Sequence, residues 1–291
     1  MPASISDEIA LESLVAFWKD PAKGFLKAQG IAIPFAEGDD KELDRAVLSP
    51  DSLDAWKIKD AMMRERIEGS GNMDFLKSKL RADRGLPPGA LGEKIWESNE
   101  ALVERIATQV LQVKGSHIEL DVQVEVEDRS IKITGSVLLN KGGDALIAYR
   151  AGKLDDAKDF LAPWIMANLA SAGEKSLPTL IFDETIDEVP NQKDAIPPAE
   201  ACEHLKMLVE GFLQGQCRPL GYAPITSDKL IQSEEKAATE WEREDKGHGG
   251  GEGLNETSCL AWRDRNPFEN IQDWNVWKDA VAQPLKTWGG F

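Results

Sequence analysis

Four groups of residues in this chain have types and spacings that could do chemistry. The first is a row of acids, Glu119, Asp121, Glu125 and Glu127, with Gln123 among them, at every second position. Oxygen ligands at that spacing project from one side of an extended strand and could hold a hard divalent cation. The same alternation puts Ile118, Leu120, Val122, Val124 and Val126 on the other side, so the ordinary reading is the wet face of a half-buried strand. The second group is basic: Arg64, Arg66, Lys77, Lys79, Arg81 and Arg84. Such a cluster either tracks phosphates or solvates two helix faces. Third, Cys202 and His204 sit two apart on a helical stretch, too close to chelate together without a further ligand. Fourth, Gly247-His248-Gly249-Gly250-Gly251-Glu252-Gly253 has no Gly-Lys-Ser/Thr and follows no strand, so it reads as a flexible connection rather than a phosphate loop.

The elements that must position these groups centre on Ser130–Ala172, which reads as strand, turn, strand and helix. Ser130–Leu139 is rich in β-branched and apolar residues, and Lys141-Gly142-Gly143-Asp144 is a cluster of turn formers. Ala145–Tyr149 is a short apolar run that suits a strand buried on both faces. Asp155 or Asp156 can cap the helix that follows, where Phe160, Ile165 and Leu169 recur at helical spacing. The expectation is a mixed sheet with strands at 118–127, 130–139, 145–150 and 179–183, flanked by helices at 90–113 and 155–172. The alternating strand belongs outside and the continuous apolar one inside.

This stretch resembles the catalytic core of the PD-(D/E)XK nucleases in its RecB-type form, G-x-I-D followed by L-L-D-Y-K. The matching residues are Gly135-Ser136-Val137-Leu138 and Leu146-Ile147-Ala148-Tyr149-Arg150. In the active relatives two acids and a lysine bind a divalent metal and orient water beside the attacked phosphate. The resemblance puts Leu138 and Ala148 at the acid positions, Arg150 at the lysine, and Trp96 where those relatives carry a histidine. It implies an α/β (α+β) fold with a degenerate restriction-endonuclease-like core and no catalytic residues or bound metal. The competing reading is an active nuclease with relocated ligands: Glu93, Asp144 and the Glu125 face.

The 291 residues are 42% apolar, enough for one large domain or two small ones. No apolar run is long enough for a membrane span, and the first residues do not read as an export signal. Three cysteines without CxxC spacing suit a reduced, cytoplasmic chain. A formal charge of −17 and a pI near 4.7 argue against a general nucleic-acid binder, so DNA contact must be local or made through a partner.

In chain order, residues 8–30 read as two helices, broken at Asp20-Pro21, and 31–51 as an acidic, proline-punctuated connection. Residues 51–84 are helical again, and Leu86–Glu93 starts a long helix. Beyond the core lie an acidic loop at 183–198, an amphipathic helix at 199–215, a charged helix at 229–244 and a last helix at 267–286. Trp274 and Trp277 in that last helix are either core or anchors for a partner protein.

Four blocks in order, LESLVAFWKDPAKGFL, LRADRGLPPGALGEKIWE, GSVLLNKGGDALIAYRAGKL and HLKMLVEGFLQGQCRPL, resemble the gamma (RecC-type) subunits of exodeoxyribonuclease V, in their C-terminal nuclease-like domain. The resemblance runs from about Leu11 to the last helix. It implies one domain over 1–291, with a helical lead-in at 8–115, a sheet core at 116–183 and a helical part at 184–291. It also implies a non-catalytic module of a RecBCD-type helicase–nuclease that processes double-strand ends. Its partners would be a RecB-type and a RecD-type subunit, ATP and Mg would be bound by those partners, and DNA would be met through the complex. The alternative within this family is a protein that only docks on the helicase.

Overall fold

The computed structural model describes residues 6–31, 52–83, 85–186, 189–245, 250–263 and 265–291. Arg84 and the 32–51 connection lie outside these residues. The chain enters on a three-residue strand, β1 (Glu8–Ala10), which pairs in parallel with the middle of β3. This corrects the reading of residues 8–30 as helices alone; three residues are too few to show a period. Helices α1 (Leu11–Lys19) and α2 (Pro21–Ala28) follow, separated where expected. The Asp20 carboxylate accepts from the Lys23 backbone N–H at 2.9 Å, with Pro21 at the first helical position. Three more helices, α3 (Ser52–Ile67), α4 (Met73–Ala82) and α5 (Gly89–Val113), lead to the sheet.

The alternating stretch forms β2 (Lys114–Val126), paired antiparallel with β3 (Arg129–Asn140) through a tight turn in which Glu127 has φ 51°. Because β2 takes one edge of β3 along most of its length, the other edge is shared by β1 and by β4 (Leu146–Tyr149). Helix α6 (Ala157–Ala172) crosses back to β5 (Thr179–Phe182), parallel to β4, and β6 (Asn191–Lys193) closes the far edge. β2 is therefore outer and β4 inner, and the sheet is mixed and flanked by helices. β6 lies inside what the sequence shows as an acidic loop; its residues Asn-Gln-Lys carry no apolar signal.

Each sheet face buries its own core. One face packs Val122, Ile131, Ile133 and Leu146 against Trp18, Trp164 and Leu208 from α1, α6 and α7 (Pro198–Cys217). The other packs Leu138, Ile147 and Phe182 against Met62, Ile106 and Val110 from α3 and α5. Fully burying such a side chain contributes about 1.5–3 kcal/mol. No helix among the described residues is long and apolar enough to cross a membrane.

The C-terminal part is more broken than its hydrophobic pattern suggests. In place of one charged helix at 229–244 there are α8 (Pro224–Leu230) and α9 (Glu234–Trp241), because Ser233 caps the second through the Lys236 N–H. A short α10 (Glu256–Trp262) precedes the last segment. That segment is a turn of 3-10 helix, α11 (Ile271–Trp277), a π turn and α12 (Gln283–Gly289) rather than one helix over 267–286. Trp274 and Trp277 are each 1% exposed. The anchor reading is corrected accordingly: both rings lie in the domain's own core, Trp277 5.6 Å from Trp18 and Trp274 5.6 Å from Trp241.

Candidate functional site

Strand β4 ends at Tyr149, and seven residues later Asp156 caps α6 by accepting from the Asp159 N–H at 3.0 Å. That tight strand-to-helix passage draws carboxylate oxygens of Asp155, Asp156 and Asp159 within 4.8 Å of one another. The Arg150 guanidinium pairs with Asp159; the two side chains are 30% and 13% exposed. Beside them at the end of β5, the buried Asp183 accepts from the Leu154 N–H (2.9 Å), the Thr185 N–H (2.9 Å) and the Thr185 hydroxyl (2.6 Å). Burial pulls Arg150 below its ordinary pKa against the pull of Asp156, Asp155, Glu184 and Asp183. Burial likewise pushes the Asp156 carboxyl up, with Arg150 opposing. Three carboxylates at this spacing suit a hard cation, and here Arg150 pairs with Asp159 and Lys153 with Asp155 at 3.2 Å.

The resemblance-based positions divide between the two sheet faces. Leu139 pairs with Leu146, and neighbouring strand residues point to opposite sides. Val137, Leu139, Leu146 and Ala148 therefore share the α6 face, whereas Leu138, Ile147 and Tyr149 belong to the α5 face. This corrects the pairing of Leu138 with Ala148 as two halves of one ligand set. On the Ala148 face β3 offers Val137 and Leu139, which are equally without ligand atoms. Trp96 is 3% exposed in the α5-face core with Leu138, and the Lys77 ammonium lies 5.3 Å from its ring centroid.

The basic cluster is largely neutralised. Arg66 forms two hydrogen bonds of 2.8 Å to Glu104, Arg64 pairs with Asp60 at 2.8 Å, and Lys77 and Arg81 both pair with Glu93. Lys79 alone of the described members makes no ion pair among the described residues. These contacts also occupy Glu93, one of the relocated-ligand candidates. Of the others, Asp144 accepts from the Asn140 side-chain amide at 2.7 Å in the β3–β4 turn, and Glu125 accepts from the Ser130 hydroxyl at 2.6 Å. His204 faces Asn168 at 2.9 Å while Cys202 is exposed, so the two form no joint chelate.

One feature has no signal in the sequence, and a second differs from its sequence reading. Glu68 gathers Tyr149 Oη (3.0 Å), His117 Nε2 (3.0 Å) and Lys114 Nζ (3.3 Å), tying the end of α3 to the sheet. Burial pushes its carboxyl up, but these partners outweigh burial and hold it below the ordinary range. Nothing local marks Glu68, since its partners lie 46 or more positions away. The second feature is the described end of the glycine run, Gly250–Gly253, which is a packed latch. A Cβ on Gly251 would come 2.0 Å from the Glu240 carbonyl, and one on Gly253 would come 2.3 Å from Trp241 Nε1. The latch holds the buried Glu252 carboxylate against the Thr226 N–H at 2.7 Å. The flexible reading of these residues is corrected by that packing; residues 247–249 lie outside the described ones.

Residues 6–235 match the family model described as the RecC C-terminal domain. The chain belongs to that family. It is 30% identical over 180 residues to the RecBCD enzyme subunit RecC of Mycolicibacterium smegmatis, covering 60% of this chain and 16% of that protein. With the RecC subunit of Escherichia coli the identity is 23% over 237 residues, 80% of this chain and 20% of that one. With that of Mycobacterium tuberculosis it is 27% over 239 residues, 80% and 21%. The chain thus spans about a fifth of the length of the curated RecC relatives it matches.

Proposed function

We propose that this RecC-type domain is a non-catalytic module of a RecBCD-type, ATP-dependent helicase–nuclease that acts on double-strand DNA ends in repair and recombination. Family membership over most of the chain supports the placement. The observation that carries the non-catalytic part is the Arg150 corner. Its sheet face presents Val137, Leu139 and Ala148 where ligands would be needed, and a guanidinium sits against the nearby acids. The β3–β4 hairpin followed by α6 on a mixed sheet supports a degenerate PD-(D/E)XK frame, with the parity of Leu138 as its departure. Arg150 keeps a positive charge, yet its broad guanidinium is not the compact ammonium that a lysine sets beside water and phosphate. In this reading the module works in the cytoplasm, with RecB-type and RecD-type subunits as its partners. Those subunits hold ATP and Mg, and none is held here.

The test is incubation of the purified chain with single- and double-stranded DNA ends and Mg²⁺ or Mn²⁺. No cleavage is expected. Cleavage that survives purification and disappears on Asp144→Ala, Glu93→Ala or Asp156→Ala overturns the non-catalytic reading.

A further inference from the structure

The long hairpin leaves one of its strands bonded on a single side. β3 is paired on both edges, to β2 on one and to β1 and β4 on the other, whereas β2 pairs with β3 alone among the described residues. The direction of the free main-chain groups follows from β1. Lys132 donates its N–H to the Asp7 carbonyl at 2.7 Å, on the side away from β2. Gln123 stands opposite Lys132, and in an antiparallel pair the residues that exchange no bonds turn their main-chain groups to the outer edges. Gln123 and, at the same parity, Glu119, Asp121 and Glu125 therefore aim N–H and C=O outward, and all four are exposed. A cavity of about 480 Å³ opens beside this stretch, with Glu119, Leu120, Asp121 and Lys132 in its lining.

An unpaired edge of this length is a template for another strand unless something blocks it. Between His117 and Val126 there is no proline or lysine, and the register shift lies further back, between Lys114 and His117. What the edge carries instead is a charge pattern. Among the described residues the Glu119 carboxylate makes no ion pair, that of Glu125 accepts only from the Ser130 hydroxyl, and Asp121 shares Lys132 at 3.1 Å. A second copy pairing here would set acid against acid, within a chain of charge −17. A basic strand would instead be attracted by the same row. On the other side of β2, Ile118 and Leu120 are half-buried against the first core and leave apolar surface for the alternate residues of an added strand.

We propose that the outer edge of β2 docks an extended segment of a different protein, which joins the sheet as a further strand. That segment carries lysine or arginine beside Glu119, Asp121 and Glu125 and apolar residues at the positions between. Main-chain bonds give the affinity and the acidic row selects the partner. The inference stands on the strand itself and goes beyond the helicase–nuclease reading.

The experiment is fluorescence anisotropy of a labelled peptide of about ten residues that alternates lysine and valine, titrated with the whole chain. A peptide with the same lysines and valines in two blocks measures attraction by charge alone. The alternating peptide should bind about tenfold tighter than the block peptide or more. Glu119→Lys/Asp121→Lys/Glu125→Lys should weaken it about tenfold or more. Glu97→Lys/Glu235→Lys/Glu242→Lys, the same charge change at other exposed positions, should keep the preference for the alternating peptide. Gln123→Pro removes an outward N–H that β3 does not use and should also weaken binding about tenfold. Circular dichroism melts confirm that each variant folds. In wild type, hydrogen exchange at the Glu119, Asp121, Gln123 and Glu125 amides should slow when the alternating peptide is bound, a readout that needs no variant. Equal binding of the two peptides, or exchange unchanged by the bound peptide, overturns the strand addition. A wild-type dimer on gel filtration that Gln123→Pro dissolves makes a second copy the occupant and also overturns the assignment.

Discussion

Replacing Arg150 by Met keeps the bulk of the side chain and removes the ion-pair partner of Asp159 and the positive charge beside Asp156, leaving Asp155 paired with Lys153 at 3.2 Å. Exposed ion pairs contribute about 0–1 kcal/mol, whereas breaking a buried pair costs about 3–5 kcal/mol. With Arg150 30% and Asp159 13% exposed, the pair lies between these limits, and a loss of about 2 kcal/mol at pH 7 is expected. For a chain of this size that lowers Tm by about 5 °C. The pH dependence gives a sharper check. The folded-state pKa of Asp156 is already raised, by burial against the pull of Arg150, so its ionisation works against folding. Its unfavourable contribution appears as pH rises through the folded pKa and is absent below the unfolded one. Without Arg150 that pKa rises further. The penalty of Arg150→Met should therefore be full at pH 7 and shrink as pH falls through the carboxylate range. Urea unfolding of both proteins at pH 7 and near pH 4 measures it. A penalty below about 0.5 kcal/mol at pH 7, or one that grows in acid, refutes the counter-ion assignment.

Two further perturbations test the packing. Trp277→Ala should cost about 3–5 kcal/mol in urea unfolding, as for any ring wholly enclosed in a core. A stable Trp277→Ala protein that only lost partner binding would contradict its burial. Gly251→Ala drives a Cβ against the Glu240 carbonyl and should cost about 1–3 kcal/mol or more. Hydrogen exchange should quicken around α8 and α9, and unchanged exchange and stability would show that the glycine latch is not packed.

The sheet was legible because its signals are long or doubly marked. β2 alternates over most of its length, and β4 is an apolar run between a glycine turn and a capped helix. β1 and β6, at three residues each, are created by pairing rather than by pattern. The C-terminal helices carry a continuous aromatic stripe in sequence, but the caps and turns that break it are settled by packing against Trp18 and Trp241. At the end of the hairpin, the apolar types of Leu138 and Ala148 can be read from the sequence alone. The face of Leu138 could not, since a slip of one residue in the hairpin inverts every side chain and only the pairing of Leu139 with Leu146 fixes it. Asp155 and Asp156 were visible only as caps, because their relation to Arg150 depends on how the chain turns into α6.

We propose that this chain is a docked, catalytically silent part of a helicase–nuclease. Gel filtration of the purified chain mixed with the RecB-type subunit from the same source, with and without duplex DNA ends, tests it most directly. A stable contact of this kind buries on the order of 1,600 Å². Co-elution of the two proteins at micromolar concentration, independent of DNA, is the predicted result; separate elution under both conditions would contradict it.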